Sequence, residues 1–290
     1  PGGRVLLSDV KKFAEQREAA SVKKAPAEPA PTIAPQEVTT TSAPAVMPSQ
    51  PPLITTGQEV VDLEPLQGLR RRIAERMEEA WRVPHVTSFA EVEVGRLVKL
   101  RQSLKPPAAD KGVSLTYLPF VIKAVVQALK KFPRFNASLD MDKQTVLLRR
   151  YYHLGIATAI PEGLVVPVLR HADQLNMLQT GQELARLAAL ARERRLGPEE
   201  LSGSTFTITN FGSFGGQQGT PIINPPEVAI LGLGRIAEKP VAVKGKLKIR
   251  PVLPLALSFD HRLLDGAAAA QFLGRIEGLL SNPKQLMLEL

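Results

Sequence analysis

The sequence predicts an α/β fold of the α+β-like kind, a mixed sheet with flanking helices. Three observations carry this. Segments such as HVTSFAEVEV (His85–Val94) alternate in the manner of half-buried strands. Segments such as LNMLQTGQELARLAALARERR (Leu175–Arg195) repeat apolar residues at the helical period. The two kinds intermingle without strict alternation, which argues for a mixed sheet with helices on one side.

The first segment, PGGRVLLSDVKKFAEQ, opens on a Gly2-Gly3 turn. Ser8 reads as an N-cap ahead of Val10, Phe13 and Ala14 at helical spacing. Residues 1–16 therefore read as the tail of a small helical domain, or as a frayed leader. Residues 17–61 change character. Eight prolines fall between Pro26 and Pro52, and glycine is absent from residues 21–56. Such a stretch has too little apolar surface to fold, and proline without glycine makes it an extended, stiff linker.

The globular part spans residues 62–290. LRRRIAERMEEAW (Leu69–Trp81) sets Leu69, Ile73, Met77 and Trp81 four apart, a helical stripe opposite a charged face, with Pro84 as its stop. HVTSFAEVEV follows as a strand. LPFVIKAVVQALKKF (Leu118–Phe132) is a mostly apolar helix expected inside the core. YYHLGIATAI (Tyr151–Ile160) and GLVVPVLR (Gly163–Arg170) are two strands joined by a Pro-Glu-Gly turn. Beyond the 175–195 helix come the strands STFTITNFG (Ser204–Gly212) and EVAILGLGRI (Glu227–Ile236). VAVKGKLKI (Val241–Ile249) is a hairpin about a Lys-Gly turn. The apolar run PVLPLAL (Pro251–Leu257) then feeds SFDHRLLDGA, and AAAAQFLGRIEGLL (Ala267–Leu280) closes the chain as a helix.

Composition narrows the chemistry. The 290 residues, 44% hydrophobic, suffice for one large domain with a core. Cysteine is absent, which excludes disulfides, zinc–thiolate sites and a cysteine nucleophile. The four histidines, His85, His153, His171 and His261, include no two at ligand spacing, so no metal site is expected. The net charge of +9 suits nucleic acid or phosphate-bearing small molecules. Aromatics at 5% are too few for base-stacking platforms, so no nucleic-acid partner is expected. No apolar run reaches the roughly 20 residues that span a membrane, and no signal peptide is visible. The chain begins at Pro1, not at a methionine, and reads as a fragment.

Two stretches carry chemistry. In SFDHRLLDGA, His261 follows an apolar strand, where rigid scaffolds present reactive groups, and Asp265 lies one helical turn beyond it. These residues alone leave catalysis and a plain turn both open. In STFTITNFGSFGG, Thr205, Thr207 and Thr209 alternate with Phe206 and Ile208 and lead into a glycine-rich turn. A hydroxyl there could donate to a developing oxyanion. Thr207 and Thr209 share a strand face, and the pattern does not choose between them. GLGR (Gly232–Arg235) lacks the strand–helix unit and third glycine of a dinucleotide fingerprint.

Taken together, these blocks resemble the catalytic domain of the dihydrolipoamide acyltransferases, the core component of 2-oxo acid dehydrogenase complexes. SFDHRLLDGA is similar to the family's DHRxxDG signature. TFTITNFGSFGG with TPIINPPEVAILGLGRI is similar to its second block. KFPRFNASLD, YYHLGIAT and GLVVPVLRHAD match further blocks in the same order. The resemblance covers residues 62–290. Upstream, PGGRVLLSDVKKF resembles the end of the family's peripheral subunit-binding domain, and the Ala/Pro linker is typical.

The resemblance implies a chloramphenicol-acetyltransferase-like fold and trimers with interfacial sites, assembled into a cubic or icosahedral core. It implies acyl transfer from an acyl-dihydrolipoyl thioester to coenzyme A, with no metal. The family's histidine falls on His261, its aspartate on Asp265 and its oxyanion-stabilising hydroxyl, often a serine, on Thr209. Ser258 and Asn210 stand beside these as substrate-binding candidates. His261 is expected to deprotonate the thiol, since imidazole takes protons near neutral pH. Thr209 is expected to hold the oxyanion and Asp265 to brace, with His261 and Thr209 meeting across a subunit interface. The lipoyl group is expected on a domain outside this fragment. The 2-oxo acid dehydrogenase and dihydrolipoamide dehydrogenase are expected partners of the longer protein, in a bacterial cytoplasm or, in a eukaryote, the mitochondrial matrix. Acetyl is the expected acyl group, with succinyl or branched-chain acyl groups, or a non-catalytic scaffold, as alternatives.

Overall fold

A computed structural model of the chain describes residues 55–56, 59–60 and 62–290. The helical segment read in residues 1–16 and most of the linker lie outside the described residues. Within residues 17–61, β1 (Thr55–Thr56) pairs antiparallel with β2 (Glu59–Val60). A compact unit runs from Glu64 to Leu290.

The core of that unit is one mixed sheet. Its strands are β3 (His85–Glu93), β6 (Leu154–Ile160), β7 (Gly163–Val165), β8 (Val168–Leu169), β9 (Phe206–Asn210), β10 (Ala229–Leu233), β11 (Ala237–Val243) and β12 (Lys246–Asp260). They lie in the order β11-β12-β10-β9-β6-β7, with β3 also on β12 and β8 also on β6. β6, β9 and β10 run parallel, and the other pairings are antiparallel. The mixed sheet expected from the sequence is therefore present. A separate hairpin joins β4 (Ala137–Asp140) to β5 (Thr145–Leu148).

The helices are α1 (Gly68–Trp81), α2 (Gly95–Ala109), α3 (Leu118–Lys131), α4 (Met177–Arg192), α5 (Gly266–Ser281) and α6 (Pro283–Leu288). α3 packs on α4 and α5, α2 and α6 also touch α5, and α5 lies on β3. α3 is buried on nearly every side, from Pro119 to Val126 and at Ala128 and Leu129, which explains its apolar sequence. Phe135 stacks on Phe272 of α5 at 4.1 Å, and Phe206 of β9 approaches the same ring at 5.9 Å. α4 begins on a reciprocal cap: Asn176 accepts from the Gln179 N–H, and the Gln179 side chain accepts from the Asn176 N–H.

Three features depart from the sequence reading. First, the arm expected to end at Ile249 and the run PVLPLAL form one strand of 15 residues, despite Pro251 and Pro254. β11 pairs with Lys246–Val252 and β10 with Leu255–Phe259, so Pro254 sits where the strand changes partner and Pro251 faces Glu238 near the end of the β11 pairing. A missing N–H costs least there. Second, GLVVPVLR is two short strands broken at Val166-Pro167. Third, α1 keeps the helical stripe but does not bury it: Met77 is 40% exposed and Trp81 76%. The helix α2, the β4–β5 hairpin and the short α6 were not predicted.

Candidate active site

β12 delivers His261. Its half from Val252 to Phe259 is buried throughout, because β3 and β10 flank it and helices cover it. The chain then turns, and the turn is braced. Asp260 is buried; its Oδ1 accepts the Arg262 N–H at 2.9 Å and Nε at 3.0 Å, and its Oδ2 accepts Nη2 at 2.7 Å. This hydrogen bonding raises the Arg262 guanidinium pKa above its ordinary value. The His261 N–H donates to the Pro84 carbonyl at 3.0 Å, and the Phe259 ring lies 5.9 Å from the imidazole. Asp265 is the N-cap of α5, its Oδ1 accepting the Ala268 N–H at 2.8 Å. It holds the far end of the turn.

His261 is exposed. Among the described residues, the imidazole nitrogens that make hydrogen bonds belong to His85 and His153. The His85 Nε2 accepts the Ile223 N–H at 2.9 Å, so its Nδ1 carries the proton and donates to the Val83 carbonyl at 2.6 Å. His153 is buried, accepts the His171 N–H at 3.1 Å and packs edge-on to the His171 ring at 4.5 Å. Burial, then the neighbouring His171 and Arg170, lower its pKa. Spacing in the sequence hid this histidine pair. Among the described residues, no group of three or more metal-ligating side chains gathers anywhere.

Thr209 lies near the end of β9, where it borders a cavity of about 390 Å³. Thr207 and Asn224 line the same cavity with Met77, Leu164, Phe211 and Ile222. Among the described residues, no lysine or arginine borders it. Two glycines shape the wall: a Cβ at Gly155 would meet the Thr207 hydroxyl at 2.6 Å, and one at Gly232 would meet the Phe211 ring at 2.6 Å. Asn210, one residue on, borders two other cavities and not this one, as strand alternation requires. Ser258 is fully buried in β12 and shares a hydrogen bond of 2.8 Å with the Thr87 hydroxyl.

The register separates the two principal candidates. Thr209 is opposite Gly232 of β10, and Gly232 is opposite Ala256 of β12. Asp260 stands four residues beyond Ala256, roughly 13 Å along the strands and two strands, about 10 Å, across. His261 follows at that far end of the sheet. One chain therefore cannot bring both side chains within about 3 Å of one reacting atom.

Glu227, just ahead of β10, was not singled out from the sequence. The signal was a lone carboxylate opening the buried run VAILGL. It is buried; its Oε1 accepts from the Ser204 hydroxyl at 2.5 Å and from Asn224 Nδ2 at 3.1 Å. Burial pushes its pKa up to about 7, against the hydrogen bonds that favour the charged form. Asp260 and Arg262 were passed over too, although they flank His261 directly in FDHR.

The same fold occurs in solved acyltransferase cores. It matches the dihydrolipoamide acetyltransferase (E2p) of Azotobacter vinelandii, studied for the role of a serine, a histidine and an asparagine in its catalytic mechanism. The TM-score is 0.78 at 38% identity, over 83% of this chain and all of that one. It matches the cubic core of a pyruvate dehydrogenase multienzyme complex equally, at 0.78 and 39% identity, with the same coverage. The chain belongs to the 2-oxoacid dehydrogenases acyltransferase (catalytic domain) family, whose model matches residues 58–288. A curated relative, the dihydrolipoyllysine-residue acetyltransferase component of the pyruvate dehydrogenase complex of Bacillus subtilis (strain 168), is 47% identical over 227 residues. That match takes in 78% of this chain and 51% of the relative, so the chain spans about half the length of the curated relatives it matches.

Proposed function

We propose that the chain transfers an acyl group, acetyl foremost, from an acyl-dihydrolipoyl thioester to coenzyme A, at sites completed between copies of the chain. One observation carries this: His261 and Thr209 lie at opposite ends of one sheet, so two copies are needed to join them. The spacing supports their roles. The serine, histidine and asparagine named for the A. vinelandii enzyme stand 52 and four residues apart. Thr209, His261 and Asp265 stand at the same intervals.

His261 takes the proton from the coenzyme A thiol as the sulfur attacks the thioester carbonyl. Thr209 of a neighbouring copy donates its hydroxyl to the carbonyl oxygen as negative charge gathers there. When the carbon–sulfur bond to the lipoyl arm breaks, His261 returns the proton to the departing thiolate. Asp260, Arg262 and Asp265 keep the turn that bears His261 in one geometry. On the Thr209 side of the site, the absence of a cationic side chain among the described residues favours an uncharged acyl group over succinyl. Exposed Trp81, Phe89 and Leu247 suit a chain that buries surface against copies of itself. Assembly into a closed core, and association with the 2-oxo acid dehydrogenase and dihydrolipoamide dehydrogenase through the longer protein, follow as part of this reading.

The test is complementation. His261→Ala and Thr209→Ala chains are each assayed with acetyl-, succinyl- and isobutyryl-dihydrolipoamide, then unfolded together and refolded as mixed assemblies. Interfacial sites predict activity restored to about a quarter of wild type with the acetyl donor, because that fraction of sites regains both groups. No restoration, with assembly intact, overturns the interfacial site. Full activity of His261→Ala alone overturns the mechanism.

A further inference from the structure

The Thr209 cavity holds a second polar position that the chemistry above does not use. Thr207 is two residues before Thr209 on the same face of β9, so the two hydroxyls stand roughly 7 Å apart. Thr207 is 1% exposed, yet its hydroxyl makes no hydrogen bond of normal geometry. The Glu227 carboxyl is near: Ser204, whose hydroxyl donates to Glu227, and the Thr207 hydroxyl both crowd the point where a Gly155 Cβ would lie. The Glu227 Oε1 is held by Ser204 and Asn224, while its Oε2 is buried and unpartnered. A buried hydroxyl and a buried carboxyl oxygen with no partner of normal geometry are costly unless they complete each other or a bound group completes them. Gly155 leaves room for the Thr207 hydroxyl itself, since any Cβ there would strike it.

We propose that Thr207, backed by Glu227, binds the secondary amide that lies two methylenes from the acceptor thiol, the cysteamine end of a pantetheine arm. This deepens the acyl-transfer reading and rests on it. With Thr209 on the thioester oxygen, an amide nitrogen two methylenes beyond the attacking sulfur lies five bonds away. That is a little less than two residues of extended chain, roughly 6 Å, which matches the step from Thr209 to Thr207. The amide of a lipoyl arm lies several methylenes further from its sulfur and overshoots. A Thr207 hydroxyl that donates to Glu227 Oε2 leaves its lone pairs free for the amide N–H. Thr207 is thus a binding residue for the acceptor, and Glu227 a positioning residue acting through it.

The test compares Thr207→Val, Thr207→Ser and Glu227→Gln in the assembled protein. Thr207→Val raises KM for coenzyme A roughly 3- to 10-fold, the worth of one hydrogen bond. It leaves KM for acetyl-dihydrolipoamide unchanged and lowers kcat far less than Thr209→Ala. Thr207→Ser restores the KM, and Glu227→Gln gives a smaller rise in the same parameter. Wild-type protein prefers N-acetylcysteamine to a thiol of equal length without the amide, a comparison that stands even if Thr207→Val fails to fold. Unchanged KM for coenzyme A in Thr207→Val, a shift on the lipoyl side instead, or no amide preference in the wild type each overturn the proposal. Binding of coenzyme A by calorimetry separates the two readings. Normal acyl transfer with no Thr207 effect sinks this inference alone. Absent transfer in the wild type sinks the activity, while weaker coenzyme A binding by Thr207→Val still supports the amide contact.

Discussion

The two ends of the sheet are built in opposite ways. At one end, His261 projects from a turn locked by the Asp260–Arg262 pair, the Pro84 carbonyl and the Asp265 cap, with its ring in solvent. At the other end, Thr207 and Thr209 line a recess under Phe211 and Ile222. One end presents a group and the other receives one. A rigid, exposed base is useful only if something arrives at it, and a recessed hydroxyl row only if something enters. On the proposed reading, the difference makes the unit of chemistry larger than one chain.

The largest effect should come from removing either principal group. His261→Ala is expected to lower turnover by roughly 10²- to 10⁴-fold, the range for a positioned general base. Thr209→Ala should lose roughly 10²- to 10³-fold, the usual scale for one oxyanion donor. Steady-state assays of both variants check this. Equal, small losses would erase the distinction between a presenting end and a receiving end.

Next comes the buried carboxyl behind the receiving end. Glu227 has its pKa pushed from an ordinary 4.5 to about 7 by burial. The folded protein therefore holds this proton more tightly than the unfolded chain. Stability from this group falls as pH rises from about 4.5 to about 7 and is level above that, on the order of 3 kcal/mol in all. Thermal unfolding of wild type and Glu227→Gln from pH 5 to pH 8 should show a steeper decline in the wild type. Parallel curves would show that Glu227 is not the group responsible.

The presenting end should respond to its brace. Arg262→Ala leaves the buried Asp260 carboxylate short of its guanidinium partner and should cost about 2 kcal/mol of stability. Turnover should fall with KM for both substrates little changed, because the turn and not the cavity is loosened. Smallest is the cap: Asp265→Ala should cost about 1 kcal/mol of stability, and Asp265→Asn much less, since asparagine caps equally well. A large activity loss in Asp265→Asn would instead give the carboxylate a chemical role.

Much of this was legible in the sequence, and the reasons are particular. The alternation in FTITN and the four-residue spacing in α1 report local geometry, so β9 and α1 were found. Asn176 and Gln179 mark the start of α4, although the apolar pattern alone placed it two residues early. The long β12 was misread because Pro251 and Pro254 read as strand breakers unless they fall at or near a change of partner, and partners are not local. The stripe on α1 was seen correctly, but periodicity says which face is apolar and not what covers it. Glu227 escaped notice because a single carboxylate ahead of a strand is ordinary until its burial is known.

By itself the sequence determined most of the elements and the family blocks. The elements follow from short-range pattern, because dihedral preference and side-chain period act over a few residues, whereas the choice of Thr209 over Thr207, beside His261 and Asp265, came from the resemblance to the family. Only the tertiary structure decided that Thr207 and Thr209 share a cavity with Asn224, and that Asn224 and Ser204 hold the buried Glu227 carboxyl. It alone decided that His261 lies at the other end of the sheet. The reason is strand register: parallel β9 and β10 beside antiparallel β12 send the two chain ends that carry Thr209 and His261 in opposite directions, and no local pattern encodes which strands will be neighbours.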